Sequence, residues 1–161
     1  MSDVAQQAPE TEDFGWALGV LLRSYRDKVD PVLSEFPQGS RGYQTLSEVV
    51  HGQQPSQVTL AARLGIDRTV MTYLVDDLER AGLVERKANA QDRRQRQVVA
   101  TEHGRDQLAG LCGRVNTAED AILGPLDPDE RAEFRRLLNK AACATDGARV
   151  SRDTALASAE D

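Results

Sequence analysis

Between Ser56 and Thr101 the chain leaves few folds open. Two short segments, Gln57–Leu64 and Arg68–Ala81, carry apolar residues at three- and four-residue steps, which predicts amphipathic helices. Ser56 and Asp67 stand directly ahead of them, where a side-chain oxygen can accept a free backbone N–H. Gly65 supplies the permissive backbone of a tight turn between the helices, and Gly82 a C-terminal stop. Leu83–Lys87 and Gln97–Ala100 then read as two strands joined by a polar loop over residues 88–96.

Helix, tight turn, helix, stop and hairpin, in this order, describe a winged helix-turn-helix, a device for reading double-stranded DNA. The net charge of −6 argues mildly against nucleic acid, but a DNA-binding surface needs only a local positive footprint. Arg86, Lys87, Arg93, Arg94 and Arg96 gather positive charge around the predicted loop, against the single acid Asp92.

The flanks extend the architecture. Residues 1–12 are expected to be a disordered tail. Phe14, Leu18, Leu21, Leu22, Tyr25 and Val29 mark a first helix, ended or kinked by Pro31. A loop is predicted over Pro37–Gly42 and a second helix over Tyr43–His51. Thr101 is placed to cap a fifth helix whose stripe, Leu108, Leu111, Val115, Ala118 and Ile122, has the spacing of a coiled-coil seam. Asp127-Pro128-Asp129-Glu130 is a strong start signal for a sixth, expected to bury Phe134, Leu137, Leu138 and Ala141. The expected class is mainly α with a small β-hairpin wing. A single domain spans about 13–145, with the winged helix-turn-helix at about 43–101 and dimerisation helices at about 13–36 and 102–145. Residues 146–161 are small and polar and are expected to be disordered.

The second helix of the motif carries the reading face. Arg68 suits a guanine or a phosphate, Thr69 and Thr72 suit hydrogen bonds or thymine methyls, and the bulkier Tyr73 suits sugar–phosphate packing. Asp76 and Asp77 repel phosphate, so that end of the helix is expected to rise out of the groove. Arg93, Arg94 and Arg96 suit the minor groove.

Cys112 and Cys143 are not spaced for a metal or a disulfide framework, and no metal or cofactor is expected. No apolar run reaches membrane-spanning length, and the first residues have no signal-peptide pattern, which predicts a cytoplasmic protein without a membrane partner. No nucleophile–base pair or phosphate-binding glycine loop points to an enzyme.

The stretch LAARLGIDRTVMTYLVDDLERAGLVER, followed by DRRQRQVVATEHG, resembles the MarR family of bacterial transcriptional regulators. The resemblance covers about residues 14–143 and includes the Asp92-Arg93-Arg94 wing pattern and the Thr101-Glu102-His103-Gly104 start of the next helix. It implies a homodimer held by helices one, five and six that represses from a palindromic operator. It also implies that Arg94 enters the minor groove with Asp92 bracing it. Family members commonly carry Arg where this chain has Tyr73, which implies a different operator. The family often binds a small aromatic effector, for which Trp16, Tyr25, Tyr43 and His51 are the candidates here; a core or interface role competes for each. The alternative function is a ligand- or redox-sensing dimer whose winged helix no longer reads DNA, which the net acidity and Asp76 and Asp77 favour.

Overall fold

The computed structural model describes residues 13–52, 55–89 and 96–157, and of 146–157 the backbone only. In chain order these form α1 (Phe14–Val29), a single 3-10 turn (Asp30–Leu33), α2 (Gly39–His51), α3 (Gln57–Leu64), α4 (Arg68–Arg80), β1 (Val84–Ala88), β2 (Arg96–Ala100), α5 (Glu102–Ile122) and α6 (Pro128–Ala157). The chain is thus mainly helical with one antiparallel hairpin, as its patterning predicts. The hairpin runs in register from Val84 opposite Ala100 to Ala88 opposite Arg96.

Local capping sets the helix starts. Asp13 accepts from the Trp16 N–H, Ser56 from Thr59, and Thr101 from Gly104. Asp127 and Glu130 close a reciprocal box at the head of α6, each side chain accepting the other's backbone N–H at 2.9 Å. Gly65 takes φ +62° at the end of α3, so the chain turns at once into α4.

Two helix boundaries differ from the sequence expectation. α2 starts at Gly39 rather than Tyr43. Gln38 and Gly39 both adopt positive φ, turning the chain sharply, and the Ser40 hydroxyl bonds to Asp30. Gly42 lies so close to Pro37 that a Cβ would stand 1.8 Å from its carbonyl oxygen. The Gly-Ser-Arg-Gly composition that reads as loop is therefore the first turn of a helix. At the other end α6 continues to Ala157, past the expected boundary at 145. The added segment has no proline and is rich in alanine and arginine, which favour helix. Residues 1–12 and 158–161 of the expected tails lie outside the described residues.

Two apolar clusters hold the fold. The larger joins α2, α3, α4 and the hairpin around Leu46, Leu60, Met71, Leu74, Leu78 and Val98. The smaller lies between α1, the 3-10 turn and α5, with Val29, Leu33 and Val115 at its centre. Tyr43 and Leu111 touch both, so the helix-turn-helix and the flanking helices are bound together. α6 does not bury the residues expected of it: Leu137 and Leu138 are about half exposed and Ala141 is exposed within the single chain.

Candidate nucleic-acid interface

α4 sinks Met71, Leu74, Val75 and Leu78 into the larger core. The same rotation turns Arg68, Thr69, Thr72 and Tyr73 outward, and all four are exposed. Tyr73 stands furthest out, 66% exposed. Val70, apolar and on the same helix as Leu74, is 41% exposed and joins the rim of the outer face. At the helix head Asp67 accepts the N–H groups of Thr69 (2.8 Å) and Val70 (3.3 Å). The exposed helix start is thus already occupied by a carboxylate of this chain.

The hairpin is tied to both helices of the motif. Pro55, just ahead of α3, accepts the N–H of Val98 at 2.9 Å, and Ser56 bridges to Gln97. From β1, Arg86 turns back under the sheet with its side chain only 15% exposed. It pairs with Asp76 and Glu79 of α4 and donates through Nε (3.4 Å) and Nη2 (3.2 Å) to the side-chain oxygen of Gln57 in α3. The Gln57 amide in turn donates to the Thr72 hydroxyl at 2.6 Å.

This arrangement corrects the expected charge distribution in two ways. Arg86 and Lys87 do not add to a free basic tip: Arg86 is spent inside the motif, and Lys87 pairs with Glu85 at 2.7 Å. Nor are Asp76 and Asp77 unopposed. Asp76 is neutralised by Arg86, and Asp77 takes hydrogen bonds from Gln38 and Arg80, which hold its carboxyl below the usual carboxylate range. The repulsion that favoured a motif unable to read DNA is therefore largely cancelled within the chain. Arg96 lies exposed at the start of β2. Asp92, Arg93 and Arg94 lie outside the described residues.

The four residues considered for an aromatic effector do not share one site. Tyr25 and Tyr43 both pack against the smaller core. Burial pushes both phenols above their ordinary range; Glu119 and Asp30 add to the shift at Tyr25, and contact with Cys112 to that at Tyr43. Tyr43 also meets Phe36 edge-on and lies 3.5 Å from the Cys112 sulfur. Trp16 is nine residues from Tyr25 along α1, about 13 Å at the helical rise, and is 58% exposed. His51 is exposed and bonds the Ser47 carbonyl at 2.9 Å through Nδ1, finishing its own helix. A cleft of about 460 Å³ lies elsewhere, under the α1–α2 connection. Pro31, Phe36, Pro37 and Leu83 line it together with Glu35 and with His103, Gln107 and Arg114 of α5.

Among the described residues no cluster of His, Cys, Asp and Glu has the makings of a metal site, and no helix is long and apolar enough to cross a membrane.

The MarR family model matches residues 42–95, which begin inside α2 and end just ahead of β2. A MarR-family transcriptional regulator from Rhodococcus sp. RHA1 is 27% identical with a TM-score of 0.72, over 84% of this chain and 96% of that one. CouR from Rhodococcus jostii RHA1, in a structure bound to p-coumaroyl-CoA, is 27% identical with a TM-score of 0.69, over 81% and 92%. The fold is also that of BpsR from Bordetella bronchiseptica, a protein whose DNA binding 6-hydroxynicotinic acid regulates (18% identity, TM-score 0.68, 84% and 96% covered). Residues 42–95 thus match the MarR family of transcriptional regulators, and the fold of the chain around them is that of MarR-family structures.

Proposed function

We propose that this protein is a homodimeric, sequence-specific reader of double-stranded DNA that represses transcription from a palindromic operator. The observation that carries this is the outer face of α4. Arg68, Thr69, Thr72 and Tyr73 are exposed together on the first two turns of a helix whose opposite side is rigidly seated in the core. A face of short polar side chains on a fixed helix suits the major groove. The hairpin beside it would carry Arg93, Arg94 and Arg96 to the adjacent minor groove, with Asp92 bracing Arg94. Pairing of Asp76 and Asp77 within the chain removes the main objection to close approach of phosphate.

The test is binding to the promoter DNA beside the protein's own gene, followed by fluorescence anisotropy across a salt series. Affinity is expected to fall steeply with salt, and Arg94→Ala to weaken binding to all duplexes and reduce the log–log slope by about one. An unchanged slope would remove Arg94 from the wing contact. Failure of the wild-type chain to bind any duplex at low salt would leave the sensing dimer without DNA reading as the better account.

For the effector we propose a small aromatic acid, held in the cleft under the α1–α2 connection. Its volume is within the usual range for small ligands, about 300–1,000 Å³. Arg114 enters no ion pair among the described residues and is available to a carboxylate. The adjoining Gln38 bonds to Asp77 on α4, so a displaced connection would pull on the reading helix.

A further inference from the structure

The hydrogen bonds from Arg86 to Thr72 run in a fixed direction, and that direction bears on which bases α4 can select. A guanidinium has only donors. The Gln57 oxygen must therefore face Arg86, which donates to it at 3.2 and 3.4 Å. This leaves the Gln57 –NH2 facing Thr72, where it donates to the hydroxyl oxygen at 2.6 Å. The hydroxyl's one proton is then directed to the Arg68 carbonyl, 3.0 Å away. Turning that proton toward DNA would set an oxygen lone pair against the carbonyl oxygen while the Gln57 donor stays in place. Arg86 itself is fixed by Asp76 and Glu79 and is largely buried, so the start of the relay does not move.

We propose that the Arg86–Gln57–Thr72 relay is a specificity device, in which Gln57 commits the Thr72 hydroxyl within the protein and Thr72 selects thymine through its methyl group. The proposal rests on the DNA reading above and adds Gln57 and Arg86 as positioning residues. A hydroxyl whose proton goes to Arg68 has none for the acceptors that bases display in the major groove, guanine O6 and N7, adenine N7 or thymine O4, and keeps only one lone pair beyond the one Gln57 takes. Its methyl group remains, and the thymine C5-methyl is the apolar feature of that groove. The exposed Val70 and Thr69 add further methyl groups to the same end of the helix.

The test uses the full chain and a duplex that the wild-type protein selects from a random-sequence library. Thr72→Val keeps the methyl and removes the hydroxyl; it is expected still to prefer thymine at its base pair, and deoxyuridine there to cost it about the four-fold of one methyl group. Thr72→Ser keeps the hydroxyl and removes the methyl; it is expected to lose about four-fold at one base pair of each half-site, the worth of one buried methyl group. Replacing thymine by deoxyuridine at that base pair should cost the wild type the same four-fold and Thr72→Ser nothing more. Gln57→Ala, which frees the hydroxyl to turn, should widen the preference at that base pair alone. A loss of the thymine preference in Thr72→Val, or a deoxyuridine cost shared by Thr72→Ser, overturns the assignment while leaving DNA reading intact. No enrichment of any sequence by the wild-type chain overturns both.

Discussion

Gly104 has no side chain because the first turn of α5 rests on the carbonyl of Leu83. A Cβ there would lie 2.0 Å from that oxygen, well inside contact distance. Thr101 completes the junction: its hydroxyl accepts the Gly104 N–H at 2.9 Å and donates to the Gly82 carbonyl at 2.6 Å. The Thr-Glu-x-Gly sequence is thus the joint at which the hairpin hands over to the long helix. Gly104→Ala is expected to destabilise the protein by about 2 kcal/mol, the cost of overpacking a site whose opposing atom is backbone. Urea unfolding would show it as a lower midpoint at unchanged slope. A variant as stable as wild type would mean that α5 can lift off Leu83 without penalty. Residues that act on immediate neighbours were legible in the sequence for this reason. Ser56, Asp67, Thr101 and Asp127 each serve an N–H two or three positions away, so their chemistry and spacing suffice to place them. Arg86 was not legible. Its partners are 29, 10 and 7 residues distant, and by composition it looked like one more positive charge near the wing.

At the scale of elements, Arg86 turns three separate pieces into one reading head. β1, α3 and α4 make few hydrogen bonds to one another through backbone, and from β1 the guanidinium reaches the other two at a position only 15% exposed. It also offsets one of the two carboxylate charges next to the surface proposed to meet phosphate. Arg86→Met should therefore have two separable effects. Stability should fall by about 2 kcal/mol, a figure that allows for the partial exposure of Asp76 and Glu79. Affinity for unrelated duplexes should also fall, because the one positive charge beside two carboxylates is lost. Adding Asp76→Asn and Glu79→Gln to Arg86→Met removes those charges, and non-specific affinity should return while stability does not. A triple variant that binds no better than Arg86→Met would show that the arginine's part in DNA approach is not charge cancellation. The helix periodicity of α4 did allow its core side to be read, with the exception of Val70, which lies at the edge of the apolar arc where a small rotation decides burial.

At the scale of the whole molecule, the terminal helices carry apolar faces that the single chain leaves uncovered. Along α1, Phe14 is 79% and Trp16 58% exposed, and Leu18 and Leu22 are each 48% exposed. Leu137 and Leu138 on α6 are exposed to the same degree. Apolar periodicity says that a helix face is to be covered, but not whether the cover comes from the same chain or a second copy. That is why α6 was expected to bury residues that the single chain leaves in solvent. A second copy is the cover we propose, since apolar faces of this size near both chain ends suit an isologous interface. Leu137→Asp combined with Leu138→Asp places two charges on that exposed face. The double variant is expected to sediment as a monomer at micromolar concentration with its helical circular dichroism retained. Its affinity for a single half-site should equal that of wild type, while its affinity for a duplex carrying both half-sites should drop by a factor of about 100 or more, the avidity lost when two readers are no longer linked. A double variant that still sediments as a dimer would move the interface off α6. A monomeric variant that keeps full affinity for the two-site duplex would show that each reading head binds on its own, and that the spacing of a palindrome is not what this protein measures.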